Sequence, residues 1–222
     1  AFVLVAGNDL DNLIEGGNGD DFLDGALGND TLKGAGGNDT LEGGIGADRM
    51  EGGTGNDLYF VDNAGDVVVE TDNGPSGPLA VISGGLVDGI TDTVKAAIDF
   101  ALTGIDRQFI ENLTLIGTAI VGTGNALNNV ITGNALNNVL IGAGGNDTLD
   151  GGAGLDIAQY TGAKAGYTIA RSGSGYIVTD SVAGRDGTDT LTGIEALQFS
   201  DQLMKLVSGR RLDSDGDGKS DI

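Results

Sequence analysis

Between Gly7 and Phe60 one large apolar residue returns every nine positions, at Ile14, Leu23, Leu32, Leu41, Met50 and Tyr59, and most residues between are polar or glycine. In that frame the stretch reads GNDLDNLIE, GGNGDDFLD, GALGNDTLK, GAGGNDTLE, GGIGADRME and GGTGNDLYF, with Asn12, Asp21, Asp30, Asp39, Asp48 and Asp57 at position six. A period of nine is neither the 3.6 of an amphipathic helix nor the 2 of a long half-buried strand. It predicts a short strand with one inward residue, then a tight turn, repeated as a solenoid. If two units complete one coil, residues i and i+18 stack at roughly 4.8 Å, the inter-strand spacing. The glycines fit turns that need positive φ.

The same frame returns at Gly124–Gln159 as GNALNNVIT, GNALNNVLI, GAGGNDTLD and GGAGLDIAQ, with Asn129, Asn138, Asp147 and Asp156 at position six. Between the blocks, Leu58–Glu70 runs β-branched and aromatic residues around an Asn-Ala-Gly-Asp turn. Gly74–Gly89, which carries Pro75 and Pro78, reads as a loop or insertion. Thr91–Leu102 alternates Val94, Ala96, Ile98, Phe100 and Leu102 on one face, which predicts a single strand rather than a helix. Ala1–Ala6 reads as a strand; it is short and lacks the basic flank of a signal peptide. After Ile157 the coil pattern fades and Tyr160, Tyr167, Tyr176 and Phe199 gather, with Tyr167–Arg171 and Tyr176–Thr179 flanking Ser-Gly-Ser-Gly as a hairpin. The expected fold is therefore all-β: a parallel β-roll or β-helix solenoid in two blocks joined by strands, with an antiparallel C-terminal β cap. The segments are 1–60 and 117–159 for the blocks, 61–116 between them, 160–207 for the cap and 208–222 for an acidic tail or the start of a next module.

Charge turns this repeat into a candidate site. The 222 residues carry a formal net charge of -22, which argues against nucleic acid, whose binding draws on Lys and Arg. Cations are the natural partners. With no Cys and no His, thiolate chemistry, Ser-His activation and the usual zinc sets are absent, so any metal is hard and oxygen-bound. Stacked pairs such as Asp21 with Asp39, or Asp30 with Asp48, would repel by about 3 kcal/mol at an effective dielectric of 20; a divalent cation between them reverses the sign. Calcium fits better than magnesium, because it takes six to eight oxygens loosely and can use the carbonyls of glycine-rich turns. Several calcium ions are expected, with the candidate ligand positions Gly19 and Asp21, Gly28 and Asp30, Gly37 and Asp39, Gly46 and Asp48, Gly55 and Asp57, Gly145 and Asp147, and Gly154 and Asp156. Asn129 and Asn138 are expected to be neutral ladder residues. No apolar run approaches the roughly 20 residues that span a bilayer.

The units GGNGDDFLD and GGTGNDLYF match GGxGxDxUx and resemble the nonapeptide of RTX (repeats-in-toxin, hemolysin-type) proteins, whose repeats form a calcium-bound parallel β-roll. Leu10, Asn12, Ala26 and Ala35 depart from it, and the first unit is expected to be a cap with a weak or absent site. LYFVDNAGDVVVE, ENLTL with GTA, the GNALNN units and DGTDTLTGIEALQFSD also resemble segments that follow, link or close RTX blocks. Asp213, Asp215, Asp217 and Asp221 form a DxDxDGxxD loop able to wrap one calcium, with Gly218 at its turn. It resembles the loops of FG-GAP propeller repeats more than an EF-hand, and the sequence is expected to be a piece of a longer protein.

The resemblance implies export by type I secretion from a Gram-negative bacterium and folding outside the cell where calcium is plentiful. On that reading the chain is a non-enzymatic binding and folding module. A glycosidase pair would need a sugar cleft and a carboxyl of raised pKa, which the pattern does not suggest. A second reading is a self-assembling surface-layer, filament or adhesin subunit, whose partners would be copies of itself or other cell-surface components. A third is the non-catalytic tail of a larger secreted hydrolase, epimerase or toxin.

Overall fold

The structure, a computed structural model, describes residues 1–70 and 91–206. The loop expected within Gly74–Gly89 and the terminal Asp213–Asp221 loop lie outside the described residues. The chain is an all-β parallel solenoid of about seven turns that ends in antiparallel strands. One wall is an eleven-stranded sheet. Its parallel strands are Leu4–Ala6, Phe22–Asp24, Thr40–Glu42, Leu58–Val61, Thr93–Ala96, Asn112–Leu115, Val130–Thr132, Thr148–Asp150 and Thr188–Thr192. The opposite wall is a four-stranded sheet of Leu13–Asn18, Thr31–Gly36, Arg49–Thr54 and Val67–Val69, and further along a six-stranded sheet that begins at Phe100–Ala101.

Nonapeptides alternate between walls, so like positions stack two units apart: Phe22 pairs with Thr40 and Leu23 with Leu41 on one wall, Thr31 with Arg49 and Leu32 with Met50 on the other. Three strands of the four-stranded wall outrun the short strand expected of each unit, since Leu13–Asn18, Thr31–Gly36 and Arg49–Thr54 each have six residues, while Val67–Val69 has three. The position-eight residues form the expected spine: Leu23, Leu32, Leu41, Met50, Tyr59, Ile131 and Leu140 are wholly buried.

The long sheet passes without interruption from the first block through Thr93–Ala96 and Asn112–Leu115 into the second, so both blocks share one wall. The single strand expected over Thr91–Leu102 is two, Thr93–Ala96 and Phe100–Ala101, which lie in different sheets. Its period-2 alternation persists through the corner because Val94, Ala96, Phe100 and Leu102 all face the core, whichever wall they belong to. The corner is closed by Asp99, whose carboxylate accepts from the backbone N–H of Ile120 and Val121 at 2.7 and 2.8 Å.

The predicted hairpin is present, with Tyr167–Ser172 antiparallel to Gly175–Asp180. The coil pattern fades at Ile157, but the coil itself resumes: Thr188–Thr192 stacks parallel on Thr148–Asp150, and Ala196–Gln198 on Ile157–Gln159. Residues 160–187 thus interrupt a solenoid that then completes another turn. Tyr160, Tyr167 and Phe199 pack with ring centroids 5.0–5.5 Å apart against that last turn. Arg185 grips Asp180 with two 2.6 Å hydrogen bonds and lies over the Tyr167 ring, an arrangement that holds the Asp180 carboxyl below its usual range.

Candidate metal centre

Every position-six Asp sits at a turn, just before its strand, with its side chain turned inward; Asp21, Asp30, Asp39, Asp48, Asp57, Asp147 and Asp156 are at most 3% exposed. One oxygen of each is engaged. Oδ1 accepts the backbone N–H of position six one coil earlier, as from Asp21 to Asp39, Asp30 to Asp48 and Asp39 to Asp57, at 2.7–2.8 Å. Position five carries a second, exposed ladder of opposite sense: Asp20 accepts from Asn38 N–H, and Asn38 in turn from Asn56 N–H. These two ladders give the Asn-Asp pair of the repeat its structural reason.

The other oxygen is the decisive one. Oδ2 of Asp21, Asp30, Asp39, Asp48, Asp57, Asp92, Asp147 and Asp156 is buried and meets no hydrogen-bond donor. Such an oxygen costs about 1–3 kcal/mol, and more when charged. All but that of Asp92 lie over the α-carbon of the glycine that opens their own unit. A β-carbon at Gly25 would fall 2.5 Å from Asp30 Oδ2 and 2.3 Å from the Gly43 carbonyl oxygen; at Gly34 it would fall 2.2 Å from Asp39 Oδ2 and 2.7 Å from the Gly52 carbonyl oxygen. Carboxylate and carbonyl oxygens therefore converge where no donor stands. The glycines keep that cradle open, and an all-oxygen set of this kind suits a hard divalent cation, calcium above all.

The Asn units show what closes such a cradle. In Gly124–Thr132, Asn129 Oδ1 accepts from Asn125 N–H at 2.8 Å, and its Nδ2 donates to the carbonyls of Ile110 and Glu111 on the preceding coil. Asn138 does the same, accepting from Asn134 N–H and donating to the carbonyls of Ala119 and Ile120. Asn129 and Asn138 thus bond mainly to backbone carbonyls and not to each other, with Asn129 Nδ2 donating in addition to Asn125 Oδ1 at 3.2 Å. The first unit uses half of this device, since Asn12 Oδ1 accepts from Asn8 N–H. In the Asp units, position two instead holds a residue of positive φ: Gly17, Ala26, Ala35, Gly44, Gly53, Ala143 and Gly152. Ala26 and Ala35, departures from the repeat, adopt the glycine conformation at φ 74° and 80°, at a strain of about 1 kcal/mol each.

The position-four glycines expected to contribute are placed by close stacking. Gly19, Gly28, Gly37, Gly55, Gly145 and Gly154 have φ between 116° and 145°. Gly46 is outside that region, but a β-carbon there would fall 1.6 Å from the Gly28 carbonyl oxygen.

Without an ion several ladder carboxyls are held above their ordinary range. Burial raises Asp48 to about 6, Asp57 and Asp189 to about 7, Asp147 to about 8 and Asp92 to about 9, with neighbouring carboxylates adding to the rise and backbone N–H groups opposing it. Asp39 and Asp156 are raised for the same reasons.

Five further acidic residues occupy position six without having been expected there. Asp66 receives Asp48 N–H, Asp92 receives Asp57 N–H, Glu111 receives Asp92 N–H, Asp189 receives Asp147 N–H, and Glu195 receives Asp156 N–H. Their signal is an acid two residues before an inward apolar one, as in Asp66 before Val68 and Asp189 before Leu191. Four were missed because glycine does not open their units, and Asp189, whose unit opens at Gly184, because it lies 42 residues after Asp147, out of the nine-residue frame.

The family model of the RTX calcium-binding nonapeptide repeat, which spans four copies, matches residues 6–41, 25–59 and 123–158. No curated protein matched the chain in a sequence search. Among the described residues no helix is long and apolar enough to cross a membrane.

Proposed function

Because the chain carries RTX calcium-binding nonapeptide repeats in both blocks, we propose that it is an extracellular module that folds on binding several calcium ions. The observation that carries this reading is the row of buried Oδ2 atoms with no donor. A divalent cation turns that row from a repulsive stack into the adhesive of the turns, with Asp21, Asp30, Asp39, Asp48, Asp57, Asp147 and Asp156 as its side-chain ligands. Carbonyls of the glycine-rich turns complete the oxygen set. The Asn units at Gly124–Ile141 satisfy themselves, so most of the calcium belongs to the first block.

Affinities of 0.1–1 mM, those of extracellular modules, would leave the chain unfolded at cytosolic calcium and folded outside. That behaviour fits export of an unfolded chain from a Gram-negative cell through type I secretion. The role is structural rather than catalytic, since the buried carboxylates are committed to a cation and to backbone N–H groups.

A calcium titration at pH 7.5 followed by far-UV circular dichroism tests this. A β signal should appear cooperatively with a midpoint near 0.1–1 mM. An equally strong signal in excess EGTA contradicts the proposal.

A further inference from the structure

At the end of the first block the ladder gains a side chain that the repeat does not supply. Asp57 and Asp92 are position-six neighbours on the long sheet although 35 residues apart, and Asp57 N–H donates to Asp92 Oδ1 at 2.7 Å. Glu70, at the end of the Val67–Val69 strand and wholly buried, brings its carboxylate to the same point. Ligand oxygens of Asp57, Glu70 and Asp92 lie within 4.8 Å of one another. The Tyr59 hydroxyl, at a position elsewhere filled by aliphatics, donates to Glu70 Oε2 at 2.6 Å. Glu70 is anchored from its backbone as well, its N–H donating to the Asp106 carbonyl at 2.7 Å.

Two of these three buried carboxylates, those of Asp57 and Asp92, keep an oxygen, Oδ2, that no donor serves, although these residues are 2% and 0% exposed. Among the described residues no Lys or Arg forms an ion pair with either. The Tyr59 phenolic proton serves Glu70 and neither aspartate.

We propose that Asp57, Glu70 and Asp92 form an additional interior site for one hard divalent cation, of the calcium class, at the junction between the two blocks, with Asp57 shared between it and the row of turn ligands. The site differs from those of the turns in its composition: it draws three carboxylates from three strand ends, in place of carboxylates and glycine carbonyls of successive turns. Its cation joins the last coil of the first block to the strand at Thr93–Ala96 that opens the way to the second. The site rests on the calcium reading above, yet it fails or stands separately from it.

The test counts ions. Native mass spectrometry of the full chain in calcium gives the number bound to wild type and to Glu70→Gln, with circular dichroism confirming that both are folded. Glu70→Gln keeps an acceptor for Tyr59 and should bind one calcium fewer. An unchanged count overturns the interior site but leaves the turn sites standing; a wild type that binds no calcium overturns both. If Glu70→Gln fails to fold, terbium replaces calcium and Tyr59→Phe replaces Glu70→Gln. Tyrosine-sensitised terbium emission should fall in Tyr59→Phe, because the phenol touches the proposed ligand shell, and emission equal to that of wild type overturns the site.

Discussion

Stripped of calcium, the chain should be unfolded at pH 8 and should regain β structure when acidified toward pH 5. Five ladder carboxyls are raised in the folded, ion-free state, chiefly by burial, with neighbouring carboxylates adding to the rise: Asp48 to about 6, Asp57 and Asp189 to about 7, Asp147 to about 8, Asp92 to about 9. A group raised on folding stabilises the folded form below its unfolded pKa of about 4 and loses that contribution as pH climbs through the folded value. Ion-free stability therefore falls progressively from about pH 4, where the unfolded carboxyls ionise, and levels off only near pH 9, above the highest of the folded values. Protons and calcium compete for the same oxygens, so calcium should fold the protein at pH 8 and bind more weakly as pH drops. Far-UV circular dichroism of calcium-free protein across pH 4–9 measures this, and a β signal that grows with pH would overturn the assignment of the ladder.

Asn138→Asp should destabilise even the calcium-loaded protein, by about 3–5 kcal/mol, the loss expected for a buried charge without a partner. Asn138 is 1% exposed. Its Nδ2 donates to the carbonyls of Ala119 and Ile120, and Asp supplies oxygen where those bonds need a donor. Calcium cannot fully compensate, because position four of this unit is Leu136 in place of glycine and position two, Asn134, already occupies the side-chain oxygen. Urea unfolding in saturating calcium reads the difference. A change below about 1 kcal/mol would mean that the amide bonds contribute little beyond a water-exchanged hydrogen bond.

Much of this architecture is legible in the residues because each position of the repeat performs one task. Gly-x-x-Gly makes the turn, position six meets the backbone of the neighbouring coil, and position eight fills the spine, so Leu23, Leu41 and Asp39 are placed by counting alone. Counting fails where an insertion breaks the nine-residue frame. Asp66 keeps that frame, 18 residues after Asp48, and lacks only its opening glycine, whereas Asp92 and Asp189 join the same ladder across separations of 35 and 42 residues that only stacking shows. Glu70 is harder still, since it follows its strand and belongs to no repeat position; a contact between chain segments so far apart leaves no local pattern. The difference between Asn and Asp units was visible as charge alone. Its mechanism, an amide donating to carbonyls of the coil before, depends on Ile110 and Ala119, which lie outside the repeat frame.

In the proposed function the donorless Oδ2 atoms are cation ligands. Anomalous diffraction from crystals grown in calcium tests it most directly. Peaks are expected about 2.3–2.6 Å from Oδ2 of Asp30, Asp39, Asp48 and Asp147, with none beside the side chains of Asn129 and Asn138. An intact solenoid in which water alone contacts those carboxylate oxygens would contradict it.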